Sequence, residues 1–180
     1  FEKSIAIKPN ADAYSNMGTI YFFQSRYADA MAMYEEAIDL AENKENNYII
    51  WANLADSYRY TPGYSEKAPE TYQRAIQLAE KKLVTNPRDA YLRSNLAVYY
   101  AKSGQNKNAL AEISKARKIE PNDVQILFDC ILVFEIVNQR DKAIHALQEY
   151  IERGGSMEAV RDYPDLSGLR ADSRYQKLVE

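Results

Sequence analysis

The sequence predicts an all-α fold, an α-α superhelix or solenoid of stacked antiparallel helix hairpins. Three observations predict it. Six glycines and six prolines in 180 residues are too few for a fold rich in tight turns, which disfavours a β sandwich or barrel. One block of residues returns along the chain: Ala13-Tyr-Ser-Asn-Met-Gly-Thr-Ile-Tyr21, Ile50-Trp-Ala-Asn-Leu-Ala-Asp-Ser-Tyr58 and Tyr91-Leu-Arg-Ser-Asn-Leu-Ala-Val-Tyr99-Tyr100. Each block leads into a second helical pattern with alanines and a large residue at fixed offsets. These are Ala30, Tyr34 and Ala37 after the first block, and Ala109, Ile113 and Ala116 after the third. Recurrence of such a unit is the signature of a repeat architecture.

The elements follow in order from this pattern. Phe1 to Pro9 reads as the tail of a preceding repeat, so residues 1–10 are the end of a second helix. Because the chain opens in mid-pattern, it reads as a piece of something longer. Repeat one spans 11–44, with Asn10 as the helix N-cap just after a proline. Repeat two spans 45–86. It holds an extra residue around Thr61-Pro-Gly-Tyr64, and its extended second helix continues through Lys82. Ser65 is the expected cap of that helix, with Pro69 in the first turn, where a missing N–H costs little. Repeat three spans 87–121 and opens on Asp89. Repeat four, the divergent copy, spans 122–154; it opens on Asn122 and carries Ala143, Leu147 and Tyr150 at the second-helix positions. Residues 155–180 form a C-terminal helical cap, a short helix, a turn and a last helix begun by Asp172.

Packing supplies the physical reason for the recurrence. Small residues such as Gly18, Ala55, Ala97, Ala30 and Ala109 let two helix backbones approach closely. Neighbouring large residues such as Tyr21, Tyr58, Tyr34 and Tyr72 fill the space between hairpins. Repeating that recipe accounts for fifteen tyrosines as architecture. A single hairpin cannot bury its apolar face, and stacking provides the missing partner.

These residues resemble the tetratricopeptide repeat (TPR) family, whose pattern runs Trp-x2-Leu-Gly-x2-Tyr, then Ala-x3-Phe-x2-Ala and a terminal Pro. Trp51, Leu54 and Tyr58 carry the first half most fully, and Pro9 and Pro121 occupy the proline slot. Repeat one lacks its proline and runs on through Ala41-Glu-Asn-Lys44. Repeat four has Cys130 and Ile131 where the family has Leu and Gly. The tail Pro164-Asp165-Leu166-x2-Leu169-Arg170-x-Asp172-x-Arg174-Tyr175-x2-Leu178 is similar to one that follows such arrays in bacterial multidomain signalling proteins.

Composition narrows the chemistry. A net charge of −3 gives no basis for a nucleic-acid partner, which draws on clustered Lys and Arg. The lone Cys130 cannot form an internal disulfide and fits a reducing, cytoplasmic setting. The most apolar stretch, Ile126 to Val137, is broken by Asp129 and Glu135 and is too short for a bilayer. His145 lies between core positions as an ordinary exposed histidine, Cys130 is a packing residue, and no set of ligands for a metal converges. Phosphate-binding glycine loops are absent. The expectation is no enzyme activity and no cofactor.

The resemblance implies that the first helix of each repeat lines a concave face that holds a protein or peptide. Asn16, Asn53 and Asn95 recur at one repeat position there. An amide both donates and accepts, so a file of amides can grip an extended backbone without reading its sequence. Phe22, Arg59, Tyr60, Tyr91 and Lys102 complete the expected contacts, with Asp129 replacing the next amide. Phe128, Leu132 and Ile136 form an apolar stripe on the last full repeat, either covered by the tail or open to a partner. The expected role is a scaffold within a larger bacterial signalling or regulatory protein. The alternative is a self-associating or spacing module with no peptide ligand.

Overall fold

Asn10 opens the first helix as its pattern requires: the backbone is extended there and Oδ1 accepts from the Ala13 N–H at 2.9 Å. The structure is a computed structural model that describes residues 10–41 and 47–179. The preceding half repeat, residues 1–9, and the proline-less exit of repeat one therefore lie outside the described residues. Among those described, the secondary structure is helical throughout, with no strand. The chain divides into two compact units, residues 1–81 and 82–180.

In the first unit, α1 (Ala11–Phe23) pairs with α2 (Tyr27–Leu40), and α3 (Tyr48–Tyr60) is followed by α4 (Ala68–Thr85). Its core joins Phe22, Tyr34, Ile38, Ile50, Leu54, Tyr58 and Tyr72 around the small Ala30, Ala37 and Ala55. The tyrosines bury their rings and keep their hydroxyls bonded, as buried phenols must. Tyr34 Oη lies 3.0 Å from Thr19 Oγ1, Tyr58 donates to Glu35 at 2.7 Å, and Tyr72 donates to Asp56.

The second unit pairs α5 (Ala90–Lys102) with α6 (Asn106–Ile119) and α7 (Val124–Ile136) with α8 (Arg140–Glu152). The tail adds α9 (Met157–Asp162), a 3-10 turn (Pro164–Leu166), α10 (Ser167–Arg170) and α11 (Ser173–Val179). Asp89 caps α5 through Leu92 N–H at 2.9 Å. The cap of α7 is Asp123, not Asn122. Asp123 Oδ1 accepts from Ile126 N–H at 3.0 Å, because the turn after Pro121 is one residue longer than expected. Ser65 likewise caps no helix. Ser65–Lys67 is itself a 3-10 turn that runs into α4, which then extends to Thr85, past the expected Lys82. Pro69 does lie in the first turn of α4. In the tail, Asp172 Oδ1 accepts from Arg174 N–H at 2.9 Å and opens α11, as expected.

Candidate functional site

The expected contact residues sit on the first helices of the repeats, and the two units treat them differently. In the first unit Asn16 is exposed and Asn53 half-buried. Among the described residues neither amide makes a side-chain hydrogen bond, so both have their full donor and acceptor capacity to spare. Phe22 is not a surface residue. It is buried in the core, where its ring meets Tyr27 at 5.3 Å and Tyr60 at 6.0 Å, edge to face. The exposed aromatic is its neighbour Phe23, at 51%. A helix turns 100° per residue, so adjacent positions face different ways. Tyr60 stacks on Tyr27 at 4.9 Å, and the Arg59 guanidinium lies 5.6 Å from the Tyr60 ring.

In the second unit Asn95 is half-buried, and its amide is again unspent among the described residues. Tyr91 is half exposed and donates its hydroxyl to Asp123. Lys102, Phe128 and Leu132, however, lie beneath the tail. Tyr163 meets the Phe128 ring edge to face at 5.6 Å. Lys102 Nζ donates to Tyr163 Oη at 3.1 Å and lies 3.4 Å from Asp165 Oδ2. Val160, Leu166 and Leu169 are fully buried. Arg170 Nη1 ties the carbonyls of Val160 and Tyr163, at 3.1 and 2.8 Å, fixing the approach to the turn. The apolar stripe is thus covered by the tail, with Ile136 half-buried at its end.

A rim of ion pairs completes this seat. Arg140 bonds Glu135 at 2.6 Å and the Gly168 carbonyl at 2.8 Å, and Arg174 bridges Asp172 and Asp141 at 2.8 and 2.7 Å. Arg174 holds the Asp172 carboxyl well below the usual carboxylate range. Nothing in the residue spacing pointed to the Lys102–Asp165 pair, which joins positions 63 apart. An acidic residue beside a tail tyrosine and an inward lysine were its only traces.

Asp129, the residue in place of the fourth amide, is buried. Burial pushes its carboxyl up to about 6, while Ser94, Gln125 and Lys102 pull it back. Burial also pushes the Cys130 thiol up to about 12, which leaves it protonated and inert. His145 is 75% exposed, 3.5 Å from Glu149. Among the described residues no group of three or more His, Cys, Asp or Glu is placed to hold a metal ion, and no helix is long and apolar enough to cross a membrane.

Residues 11–44 match the tetratricopeptide repeat family model. Similar solved structures include a crystal structure of MamA, 20% identical, covering 90% of this chain and 87% of that one with a TM-score of 0.46. MamA 41-end from Desulfovibrio magneticus RS-1 is 17% identical, with 94% and 93% covered and a TM-score of 0.47. YrrB, a TPR protein with an unusual peptide-binding site, is 20% identical, with 84% and 73% covered and a TM-score of 0.46.

Proposed function

We propose that this tetratricopeptide-repeat chain is a protein-interaction scaffold. It holds an extended segment of a partner polypeptide against its first helices, with Asn16 and Asn53 gripping the main chain in the first unit and Asn95 offering the same kind of contact in the second. One observation carries the reading: three amides at the same repeat position make no side-chain hydrogen bond among the described residues. At the fourth such position the side chain is acidic and sealed in. A solvated amide gains from a backbone partner that offers both a donor and an acceptor, which an extended peptide does at every residue. Arg59, Tyr60, Tyr91 and the exposed Phe23 supply the flanking contacts. The chain performs no catalysis in this reading. Its setting is the cytoplasm and a larger bacterial signalling protein, which the tail motif supports.

Self-association through the apolar stripe is the weaker reading, because Phe128 and Leu132 are buried within the unit. The test selects peptides from a displayed random-sequence library on the full chain and measures their affinities. The triple variant Asn16→Ala, Asn53→Ala, Asn95→Ala is expected to lose about tenfold or more in affinity, at roughly 0.5–1.5 kcal/mol per hydrogen bond. Helicity and melting temperature stay unchanged. Equal binding by both proteins overturns the role of the amides.

A further inference from the structure

Helix α7 is apolar nearly all round, and the tail accounts for only one side of it. Phe128 and Leu132 lie beneath the tail, whereas Cys130 and Phe134 stand two residues further on, about 200° round the helix. That second side floors a pocket of about 400 Å³ between α6 and α8. Leu110 and Ile113 of α6 and Ala146 of α8 complete its apolar surface, and Arg117, Lys142, His145 and Glu149 are its ionisable groups. Small-molecule sites are of this kind, about 300–1,000 Å³ of mostly apolar wall with a few placed polar groups.

The polar groups are unequally spent. Arg117 Nη2 donates to Glu149 at 2.7 Å, and Glu149 also lies 3.5 Å from His145. Arg117 Nη1 is buried but has no hydrogen-bond partner among the described residues. An unmatched buried donor is costly, and a guanidinium is well suited to take carboxylate oxygens. Lys142 is exposed; its Nζ lies 5.7 Å from the centre of the Phe134 ring and makes no ion pair among the described residues. With His145 neutral, the lining carries two positive charges, Arg117 and Lys142, against one negative, Glu149. It is short of one anion. Lys142 and Glu149 are seven residues apart on α8, which sets the two ends of the pocket about 10 Å apart.

We propose that this pocket binds a small apolar carboxylate, an alkyl or aryl acid, with its carboxylate on Arg117 and its body laid over Cys130 and Ala146 towards Phe134. A small turn of the guanidinium gives Nη1 to the ligand while Nη2 keeps Glu149. The body displaces water from the apolar floor, and its far end packs on Phe134 beside the Lys142 stem. One carboxylate brings the lining to neutrality. A neutral molecule of the same shape leaves Nη1 unmatched, and an amine adds a further cation beside Arg117 and Lys142. The pocket therefore selects by charge as well as by shape. Its walls come from second helices and from the side of α7 turned away from the tail, so it is separate from the face proposed for a guest peptide.

Titration of the full chain at neutral pH, followed by backbone amide resonances, tests this with four probes: octanoate, phenylbutyrate, phenylbutanol and phenylbutylamine. Saturable shifts centred on Leu110, Ser114 and Ala146 are expected with at least one acid. Phenylbutyrate is expected to bind about tenfold or more tightly than phenylbutanol, the difference a charge-assisted bond makes, and the amine more weakly still. The tighter of the two acids tells whether the natural ligand is a fatty acid or an aryl acid. Arg117→Gln is expected to bring the acids down to the level of the alcohol. Ser114→Trp, at an exposed position on the rim, is expected to fill the mouth and abolish binding of every probe. The triple asparagine variant is expected to bind the acids as the unaltered chain does, so the outcome is independent of whether a guest peptide binds. No saturable shift with either acid overturns the proposal. So does equal affinity for acid and alcohol, which would mean an adventitious additive only, or acid binding that survives in Ser114→Trp. The comparison of acid with alcohol uses the unaltered chain and decides the matter even where Arg117→Gln fails to fold.

Discussion

Gly18 shows how tightly single residues are specified. A Cβ placed there would meet three atoms of the Tyr34 ring at 2.8–2.9 Å, closer than any ordinary contact. The ring has nowhere to go: it is buried, and its hydroxyl is held at 3.0 Å by Thr19, one residue beyond the glycine. Glycine normally weakens a helix by about 0.5–1 kcal/mol relative to alanine. The close approach of α1 and α2 reverses that preference here. Gly18→Ala is expected to destabilise the protein by about 1–2 kcal/mol, the cost of overpacking less the helix gain, read as a lower denaturation midpoint at unchanged slope. The same residue-scale logic made the tyrosines legible. Tyr34, Tyr58 and Tyr72 were readable as space fillers from their repeat positions, and each proves to be buried with its hydroxyl bonded. Their hydrogen-bond partners were not readable, because Thr19, Glu35 and Asp56 become neighbours only once helices pair.

Between elements, one turn recurs. The residue nine places after the repeated Asn or Asp position takes a left-handed conformation in three repeats: Ser25 at φ 59°, Gly104 at 79° and Asn138 at 60°. In each, the following N–H closes a six-residue loop onto the helix, as Arg26 to Tyr21, Gln105 to Tyr100 and Gln139 to Phe134. This is the Schellman stop, which favours glycine. In repeat two that place is Pro62, which cannot reach positive φ. The left-handed residue there is Gly63, one position later, and the extra residue seen in the sequence is its consequence. Ser25→Gly is accordingly expected to stabilise the first unit by about 0.5–1 kcal/mol, measured by chemical denaturation, since serine pays a steric penalty in that conformation. The helix pairs were legible because apolar spacing and small residues are local signals. Where a helix starts was less so. Asp123 and Asn122 are adjacent and both able to cap, and only the length of the turn after Pro121 decides between them.

At the scale of the whole molecule, a fold written in repeats was readable almost throughout, whereas the accessibility of the candidate site was not. Position within a repeat tells which way a side chain points, but not what later chain folds over it. Lys102, Phe128 and Leu132 point as the pattern requires, yet the tail covers them, and its fully buried Val160, Leu166 and Leu169 contribute roughly 1.5–3 kcal/mol each to staying there. Asn16, Asn53 and Phe23 in the first unit remain at least partly open to solvent. The consequence for binding is directional. A selected peptide at saturating concentration is expected to slow amide exchange in α1 and α3 and to shift side-chain amide resonances of Asn16 and Asn53. Residues 126–133 of α7 are expected to show no added protection, because the tail already occupies that face. New protection centred on α7, accompanied by loss of protection in the tail, would instead mean that the guest enters by displacing the tail and that the first unit is not its main seat.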